Sequence, residues 1–184
     1  ALNQLNSMPG GNQFLNDLGN SNNNFTVGIT DGRNGFTPNN YGAAGGNLPE
    51  IQKATGNYMG SFGSGGRVDW NPNLLTSGIN SDGSIGRPGY IALGHELIGH
   101  GWLSNQGLLY YYKDFNSYEA YYQGVRKVEW QAVYLENQLR QEANVVLRQY
   151  YGYGRYDDGT REAIGASLLN GNGQPKPYSP IPTA

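Results

Sequence analysis

The sequence predicts an α+β fold in which a small mixed sheet packs against two principal helices. Three patterns indicate it: short β-prone segments at 25–29 and 67–70, a helical segment that begins at Pro88, and a longer apolar periodicity over about 118–150. A chain of 184 residues can bury one core of ordinary size but not two large ones. We therefore expect one core built from these elements.

Residues 1–66 are predicted to be a Gly- and Asn-rich lead-in in which turn-forming residues surround the segment 25–29. This region either packs onto the core as loops and weak strands or is a linker from an upstream delivery domain. The Gly-rich segment 60–66 is the candidate boundary. The chain starts with Ala1 and has no signal-peptide pattern, so we expect a processed product or a domain excised from a longer polypeptide.

The core is predicted at 67–170. Residues 67–70 alternate like a strand that ends before a proline, and Pro88 suits the first turn of a helix that stops near Gly101. After this core, the Pro-rich segment 171–184 is predicted to be an extended or disordered tail.

The longer helix over about 118–150 is predicted from one apolar stripe. Its members recur at alternating steps of three and four residues: Val125, Val128, Ala132, Leu135 and Leu139. Glu129 and Glu136 are seven residues apart and flank this stripe on the same side. The helix therefore offers two carboxylates next to its buried face.

The composition excludes several classes of function. The chain has 12 basic and 14 acidic residues, and the net charge of −2 argues against nucleic acid or an anionic membrane as the main partner. Cysteine is absent, which excludes disulfides, thiolate catalysis and cysteine-based metal sites. The apolar runs are too short for a transmembrane helix.

The only two histidines, His95 and His100, lie in the segment HELIGH. In H-E-x-x-H motifs the two imidazoles project from one helix face onto Zn²⁺, and the glutamate activates the attacking water. Here the histidines are five residues apart, which on a regular α-helix gives an offset of roughly 140° instead of roughly 40°.

Two interpretations follow from this spacing. Either the extra residue destroys the site, or a π-bulge absorbs it and returns both histidines to one face. Gly99 and Gly101 flank His100 and make a distorted turn sterically easy. We therefore predict a π-bulge and a metal site, with Glu96 as the group that moves the proton.

The third ligand must come from an oxygen, because the chain has no third histidine and no cysteine. A His₂Glu set is a normal catalytic zinc arrangement, although a Tyr or Asn oxygen is an alternative. The downstream carboxylates are Asp114, Glu119, Glu129 and Glu136. Glu129 is favoured because a long helix would hold it rigidly against the histidines; the alternative is a solvated helix residue. Glu136 is expected behind the ligands or at the surface.

Four segments carry a resemblance to a known family: VDWNP at 68–72, RPGYIALGHELIGH at 87–100, VEWQAVYLENQLRQE at 128–142 and LRQYYG at 147–152. Over 67–151 the chain resembles the effector-type, NleD-like zinc metallopeptidases. These occur as injected bacterial effectors and as C-terminal toxin modules of polymorphic toxins. The resemblance implies a zincin-like fold, one Zn²⁺ ion, and a protein that is secreted or delivered into a target cell.

The resemblance also bears on single residues. In that family the second of two consecutive glutamates binds zinc and matches Glu129, whereas Val128 replaces the first. The six-residue histidine motif is similar to the HELLGH-type motif of the dipeptidyl peptidase III family, whose third ligand is also a glutamate on a downstream helix. In clostridial-neurotoxin-like zincins an Arg-x-x-Tyr pair stabilises the oxyanion, and Arg148 and Tyr151 have that spacing; Tyr150, Tyr153 and Tyr156 are substitutes.

The function expected from these features is zinc-dependent cleavage of internal peptide bonds in a protein or peptide substrate. A metal-free, catalytically inactive binding module and a zinc exopeptidase are the alternatives. The aromatic segment 110–122 either lines the substrate groove or packs on the Gly-rich surface. We expect a monomer, no nucleic-acid or membrane partner, and an upstream delivery domain or an immunity protein as candidate partners.

Overall fold

The computed structural model of the protein describes residues 1–48, 63–110 and 121–177. Helices and small sheets alternate within these ranges, which confirms the predicted α+β class. The elements in chain order are α1 (Leu2–Asn6), α2 (Pro9–Gly19), β1 (Phe25–Ile29), β2 (Gly35–Pro38), α3 (Tyr41–Ala44), β3 (Gly66–Trp70), α4 (Gly89–Gly94), a π-helix π1 (His95–Trp102), α5 (Leu103–Asn105), β4 (Tyr121–Tyr122), β5 (Val125–Arg126), α6 (Lys127–Glu142), β6 (Gly152–Arg155) and β7 (Arg161–Ile164).

The predicted mixed sheet has three strands in the order β1-β3-β2. Strand β1 runs parallel to β3 and strand β2 runs antiparallel to it. Val68 in the central strand is fully buried, with Val27 and Phe36 as its register partners. Strand β2 is therefore an edge of the sheet, and it contacts π1.

Two helices at the start of the chain were not predicted. Their Asn- and Gly-rich sequence has low helix propensity, but Leu5, Met8 and Leu18 are buried in the main core. Tertiary packing thus stabilises helices that local propensity does not favour. The predicted strand at 25–29 is present as β1, and it pairs with β3 at 66–70. Residues 60–62 of the candidate boundary at 60–66 lie outside the described residues.

Residues 89–105 form one continuous helical segment, here called the histidine helix, which comprises α4, π1 and α5. The predicted π-bulge is confirmed, since all of His95–Trp102 is π-helical. A π-helix bonds residue i to i+5, so residues five apart return to the same face. The predicted stop at Gly101 is wrong, because the chain continues in helical conformation to Asn105.

The helix predicted over about 118–150 is shorter in the structure than expected. It is α6, here called the glutamate helix. The preceding residues form the β4–β5 hairpin, whose turn at Gln123 and Gly124 has φ of 49° and 79°, as in a type I′ turn. The helix ends just before Asn144, which has φ of 52°. The predicted stripe is confirmed where the helix exists: Ala132, Leu135 and Leu139 are buried.

The two main helices touch through their backbones. A Cβ added at Gly99 would lie 2.9 Å from the Ala132 Cβ and 3.1 Å from the Ala132 carbonyl oxygen. Only glycine leaves enough space at this crossing. The contact brings the start of the glutamate helix to the π-helical turn.

The start of the predicted tail packs onto the core. Leu169 forms a β-bridge with Pro175, and the Trp130 indole N–H donates to the Lys176 carbonyl oxygen at 3.0 Å. The rest of the tail, 178–184, lies outside the described residues. None of the helices in the described ranges combines the length and apolarity required to span a membrane.

The contact at Gly99 gives a testable prediction. We expect Gly99→Ala to destabilise the protein by about 1–3 kcal/mol, because the added methyl group forces the helices apart. Urea unfolding followed by circular dichroism measures the change. Gly101→Ala is the matched control in the same turn, where the nearest atom to the new Cβ is 3.5 Å away on Phe36. Equal stability of the two variants would show that the crossing is not tight.

Candidate metal centre

Three side chains converge where the histidine helix meets the glutamate helix. One ligand atom each from His95, His100 and Glu129 lies within 4.8 Å of the other two. The Glu129 Oε2 atom is 3.3 Å from His95 Nε2 and 3.6 Å from His100 Nε2. The sequence-predicted ligand set is therefore brought together, whereas Asp114 and Glu119 lie outside the described residues.

Local structure explains this convergence. The π-helical turn puts both imidazoles on one face, and their ring planes are nearly perpendicular with centroids 5.0 Å apart. Glu129 is in the first turn of the glutamate helix, three residues before the Ala132 contact. Because residues three apart share a helix face, the contact with Gly99 also directs Glu129 towards the histidines.

Glu136 lies behind His95, on the side opposite Glu129. Its Oε2 atom is 2.8 Å from His95 Nδ1, and its side chain is fully buried, so the expectation of a surface position is excluded. An ionised carboxylate only accepts hydrogen bonds, so Nδ1 carries the proton. A metal that displaces the proton on Nε2 would then meet the lone pair of that nitrogen on the side of Glu129.

Three arginines hold Glu136. Arg140 Nε donates to Oε1 at 2.7 Å, and the Nη1 atoms of Arg87 and Arg148 donate to Oε2 at 3.3 Å and 3.2 Å. Burial alone would raise the pKa of Glu136, but the charges of Arg140 and Arg148 outweigh it and hold the pKa well below its ordinary value. Glu136 is therefore an ionised acceptor for His95.

Burial and neighbouring polar groups also act in opposite directions on the pKa values of the ligand residues. Burial would lower the pKa of His95, but hydrogen bonds to Glu129 and Glu136 outweigh burial and raise it to about 9. Burial would raise the pKa of Glu129, but His100 and His95 hold it well below its ordinary value. An ionised carboxylate and two imidazole Nε2 atoms that face one point form a donor set suited to a divalent cation such as zinc. These residues fit the metal that the sequence predicts.

A cavity of about 470 Å³ opens onto this cluster. Glu96 lines it without belonging to the ligand cluster; its Oε2 atom is 3.9 Å from His100 Nε2. Arg148 and Tyr151 also line it, so the six residues predicted from the sequence share one site. The candidate substitutes Tyr150, Tyr153 and Tyr156 do not line it.

Arg148 supports Tyr151. Its Nη2 atom donates to the Tyr151 carbonyl oxygen at 2.6 Å, and its guanidinium carbon is 4.8 Å from the Tyr151 ring centroid. Asn137 on the glutamate helix fixes the Arg148 backbone through two hydrogen bonds of 2.8 Å and 2.9 Å. Burial raises the pKa of Tyr151, and the charge of Glu129 and a hydrogen bond to it raise it further. The phenol of Tyr151 is therefore a neutral donor beside the ligands.

Sequence reasoning did not identify four arginines around the site, which are Arg33, Arg87 and Arg126 at the cavity and Arg140 beside Glu136. Arg140 follows Glu136 by four residues on a helix, a spacing that does indicate an ion pair. Arg87 carries no local signal, because its partner lies 49 residues away.

The predicted aromatic groove lies largely outside the described residues, at 111–120. Of its described members, Tyr110 is buried and Tyr121 and Tyr122 are exposed. None of these three lines the cavity.

Comparison with known proteins gives one match. The family model Peptidase_M91, described as an effector protein, matches residues 1–151 of the chain. No curated protein and no solved structure matches the chain. The matched segment contains all three residues of the ligand cluster as well as Glu96, Arg148 and Tyr151.

The role of Glu136 is testable. We expect Glu136→Gln to weaken Zn²⁺ binding about 10- to 100-fold, because the amide cannot orient His95 as a carboxylate does. Competition with a chromophoric chelator measures the affinity of the folded variant. Glu142→Gln, at the exposed end of the same helix, is the control. Unchanged affinity in Glu136→Gln would exclude this role.

Proposed function

The chain belongs to the Peptidase_M91 family of effector proteins, and on this premise we propose that it is a zinc-dependent endopeptidase that hydrolyses peptide bonds of a protein substrate. The observation that carries the proposal is the convergence of His95, His100 and Glu129, with Glu96 beside them, at one cavity. The π-helical turn weakens the alternative of a metal-free binding module. That alternative assumes that a five-residue spacing points the two histidines in different directions, but the π-helix places both on one face.

We assign His95, His100 and Glu129 as the residues that hold one Zn²⁺ ion. Zinc bound there would polarise the scissile carbonyl and make the attacking water more acidic. His95 is oriented for this task by Glu136, and the close helix crossing keeps Glu129 from turning away. The protein supplies the remaining chemistry through Glu96 and Tyr151.

Glu96 is the proposed general base. Its carboxylate lies beside His100 at the cavity wall, where it takes a proton from the attacking water and then delivers it to the leaving amine. Because its side chain is almost fully buried, little bulk water competes for the carboxylate.

Tyr151 is the proposed donor to the oxyanion. Its phenol keeps its proton because its pKa is raised, so it can donate a hydrogen bond to the carbonyl oxygen as negative charge develops. Arg148 acts through Tyr151: the described hydrogen bonds of its guanidinium go to Glu136 and to the Tyr151 carbonyl oxygen, and it adds positive charge to the cavity wall. We propose a positioning role for Arg148.

Strand β2 is the proposed edge strand with which the backbone of the substrate pairs. Within the described ranges it pairs only with β3, and Gly35, Phe36 and Pro38 line the cavity. An extended peptide that adds to a free strand edge gains backbone hydrogen bonds and runs past the site in both directions. This arrangement favours cleavage within a chain over removal of terminal residues.

Delivery into a target cell is the proposed setting, and family membership among effector proteins supports it. An upstream delivery domain and an immunity protein remain candidate partners, and a monomer remains a prediction.

The direct test is Glu96→Gln. We expect protein purified without added zinc to contain about one equivalent of the metal in both wild type and variant, since Glu96 is not a ligand. We expect cleavage of a proteome-derived peptide library to fall about 10²- to 10⁴-fold in the variant. Elemental analysis and mass spectrometry make the two measurements. Full activity of Glu96→Gln, or a wild type without affinity for zinc, would refute the proposal.

A second test concerns Tyr151. We expect Tyr151→Phe to lower kcat about 10²- to 10³-fold with little change in KM, because the lost hydrogen bond forms mainly in the transition state. Steady-state kinetics on one cleaved peptide separate the two parameters. Tyr153→Phe on β6, outside the cavity, is the control. A rise in KM at constant kcat would instead assign Tyr151 to substrate binding.

A further inference from the structure

The cavity at the metal cluster is basic although the protein is acidic. The chain has 12 basic and 14 acidic residues, yet four arginines and no lysine line this cavity. Among the described residues its only lining carboxylates are Glu96 and Glu129, both of which belong to the proposed catalytic site. A cleft lined by one sign of charge concentrates ligands of the opposite sign.

The four arginines come from separate parts of the fold. Arg33 precedes β2, Arg87 precedes the histidine helix, Arg126 ends β5, and Arg148 follows the glutamate helix. No single structural role explains their presence at one cavity.

The buried arginines carry more positive charge than their partner neutralises. Arg87, Arg140 and Arg148 share the single carboxylate of Glu136. The Nε atoms of Arg87 and Arg148 are buried and have no hydrogen-bond partner within the described part of the chain. Buried donors of this kind are uncommon, and the excess charge lies in the wall of the cavity.

Arg33 has a different environment. It is exposed, it lines the cavity, and across the described ranges no hydrogen bond or ion pair involves its side chain. Asn34 beside it lines the same wall, and its buried Nδ2 atom also has no acceptor there. Within the described ranges, Arg33 is therefore not needed to neutralise another charged group.

We propose that Arg33 binds the carboxylate of an aspartate or glutamate in the substrate, close to the scissile bond. The inference rests on the proposed peptidase function. A guanidinium binds a carboxylate through paired, charge-assisted hydrogen bonds, and the basic cavity wall favours the same charge. The substrate class is therefore a protein segment with an acidic residue near the cleaved bond.

The position of Arg33 limits where that residue lies. Arg33 is two residues before Gly35, the first residue of β2. A peptide paired with β2 aligns about four of its residues with the four of the strand. Pro38, the last residue of β2, follows Arg33 by five positions, so the acidic residue lies within about five residues of a bond cleaved alongside β2.

The test is cleavage of a proteome-derived peptide library, with cut sites read by mass spectrometry. We expect Asp and Glu to be enriched about 1.5- to fivefold at one position near the cut, the range for an exposed ion pair. Arg33→Gln should remove this enrichment. Arg155→Gln, an exposed arginine on β6 outside the cavity, should keep it. Cut sites without acidic enrichment, or enrichment that persists in Arg33→Gln, would overturn the inference while leaving the peptidase function intact.

A free C-terminal carboxylate is the other possible source of the anion. In that case cuts would lie at a fixed distance from the peptide C-terminus and would disappear after C-terminal amidation. That outcome also overturns the inference.

A second measurement does not depend on cleavage. Immobilised, zinc-loaded Glu96→Gln protein is incubated with the library, and the retained peptides are compared with those kept by Glu96→Gln/Arg33→Gln. Retention enriched in acidic peptides about threefold, and lost with Arg33, supports the inference. Equal retention of acidic and neutral peptides overturns it. If the wild type cleaves nothing, the peptidase function fails but this comparison still decides the role of Arg33.

Discussion

The site depends on one close contact between two helices. Gly99 presents bare backbone to Ala132, and no other residue leaves space for this approach. Gly99 precedes His100, and Ala132 follows Glu129 by one helical turn, so the contact that closes the core also sets the distance between the ligands. The π-helical turn is the second half of this arrangement, because it places His95 and His100 on the face that meets the glutamate helix.

Buried charge is arranged around that contact in layers. Glu129 and the two imidazole Nε2 atoms form the innermost layer, Glu136 lies behind His95, and Arg87, Arg140 and Arg148 surround Glu136. Removing a carboxylate from water is costly, and only several charge-assisted hydrogen bonds offset the cost. The arginines thus keep Glu136 ionised in the core, where it can fix one tautomer of His95. Through Arg148 the same carboxylate is linked to Tyr151 on the cavity wall.

This layering also explains why the cavity differs in charge from the rest of the chain. Three arginines pair with the single buried carboxylate of Glu136, so part of their positive charge is not balanced. Arg33, before β2, and Arg126, at the end of β5, add further positive charge to the cavity. Glu96, the proposed general base, therefore lies in a cavity wall that is otherwise mainly cationic. This excess positive charge has the sign that would favour the acidic substrate residue proposed to bind Arg33.

The sequence by itself determined which ligand types a metal site in this protein could use. With two histidines, no cysteine and one glutamate inside HELIGH, any metal site had to be His₂ with an oxygen ligand, and a helix stripe singled out Glu129. These inferences were possible because ligand type and helical period are local properties. The tertiary structure alone decided that Glu136 is buried with three arginines, that α1 and α2 form, and that the glutamate helix begins only after a hairpin. The first two depend on partners far apart in the chain, such as Arg87 with Glu136 or Leu5 with the core, and no local pattern encodes such contacts. The hairpin is local, but its residue Val125 also continues the apolar stripe of the helix, so the pattern did not separate the two.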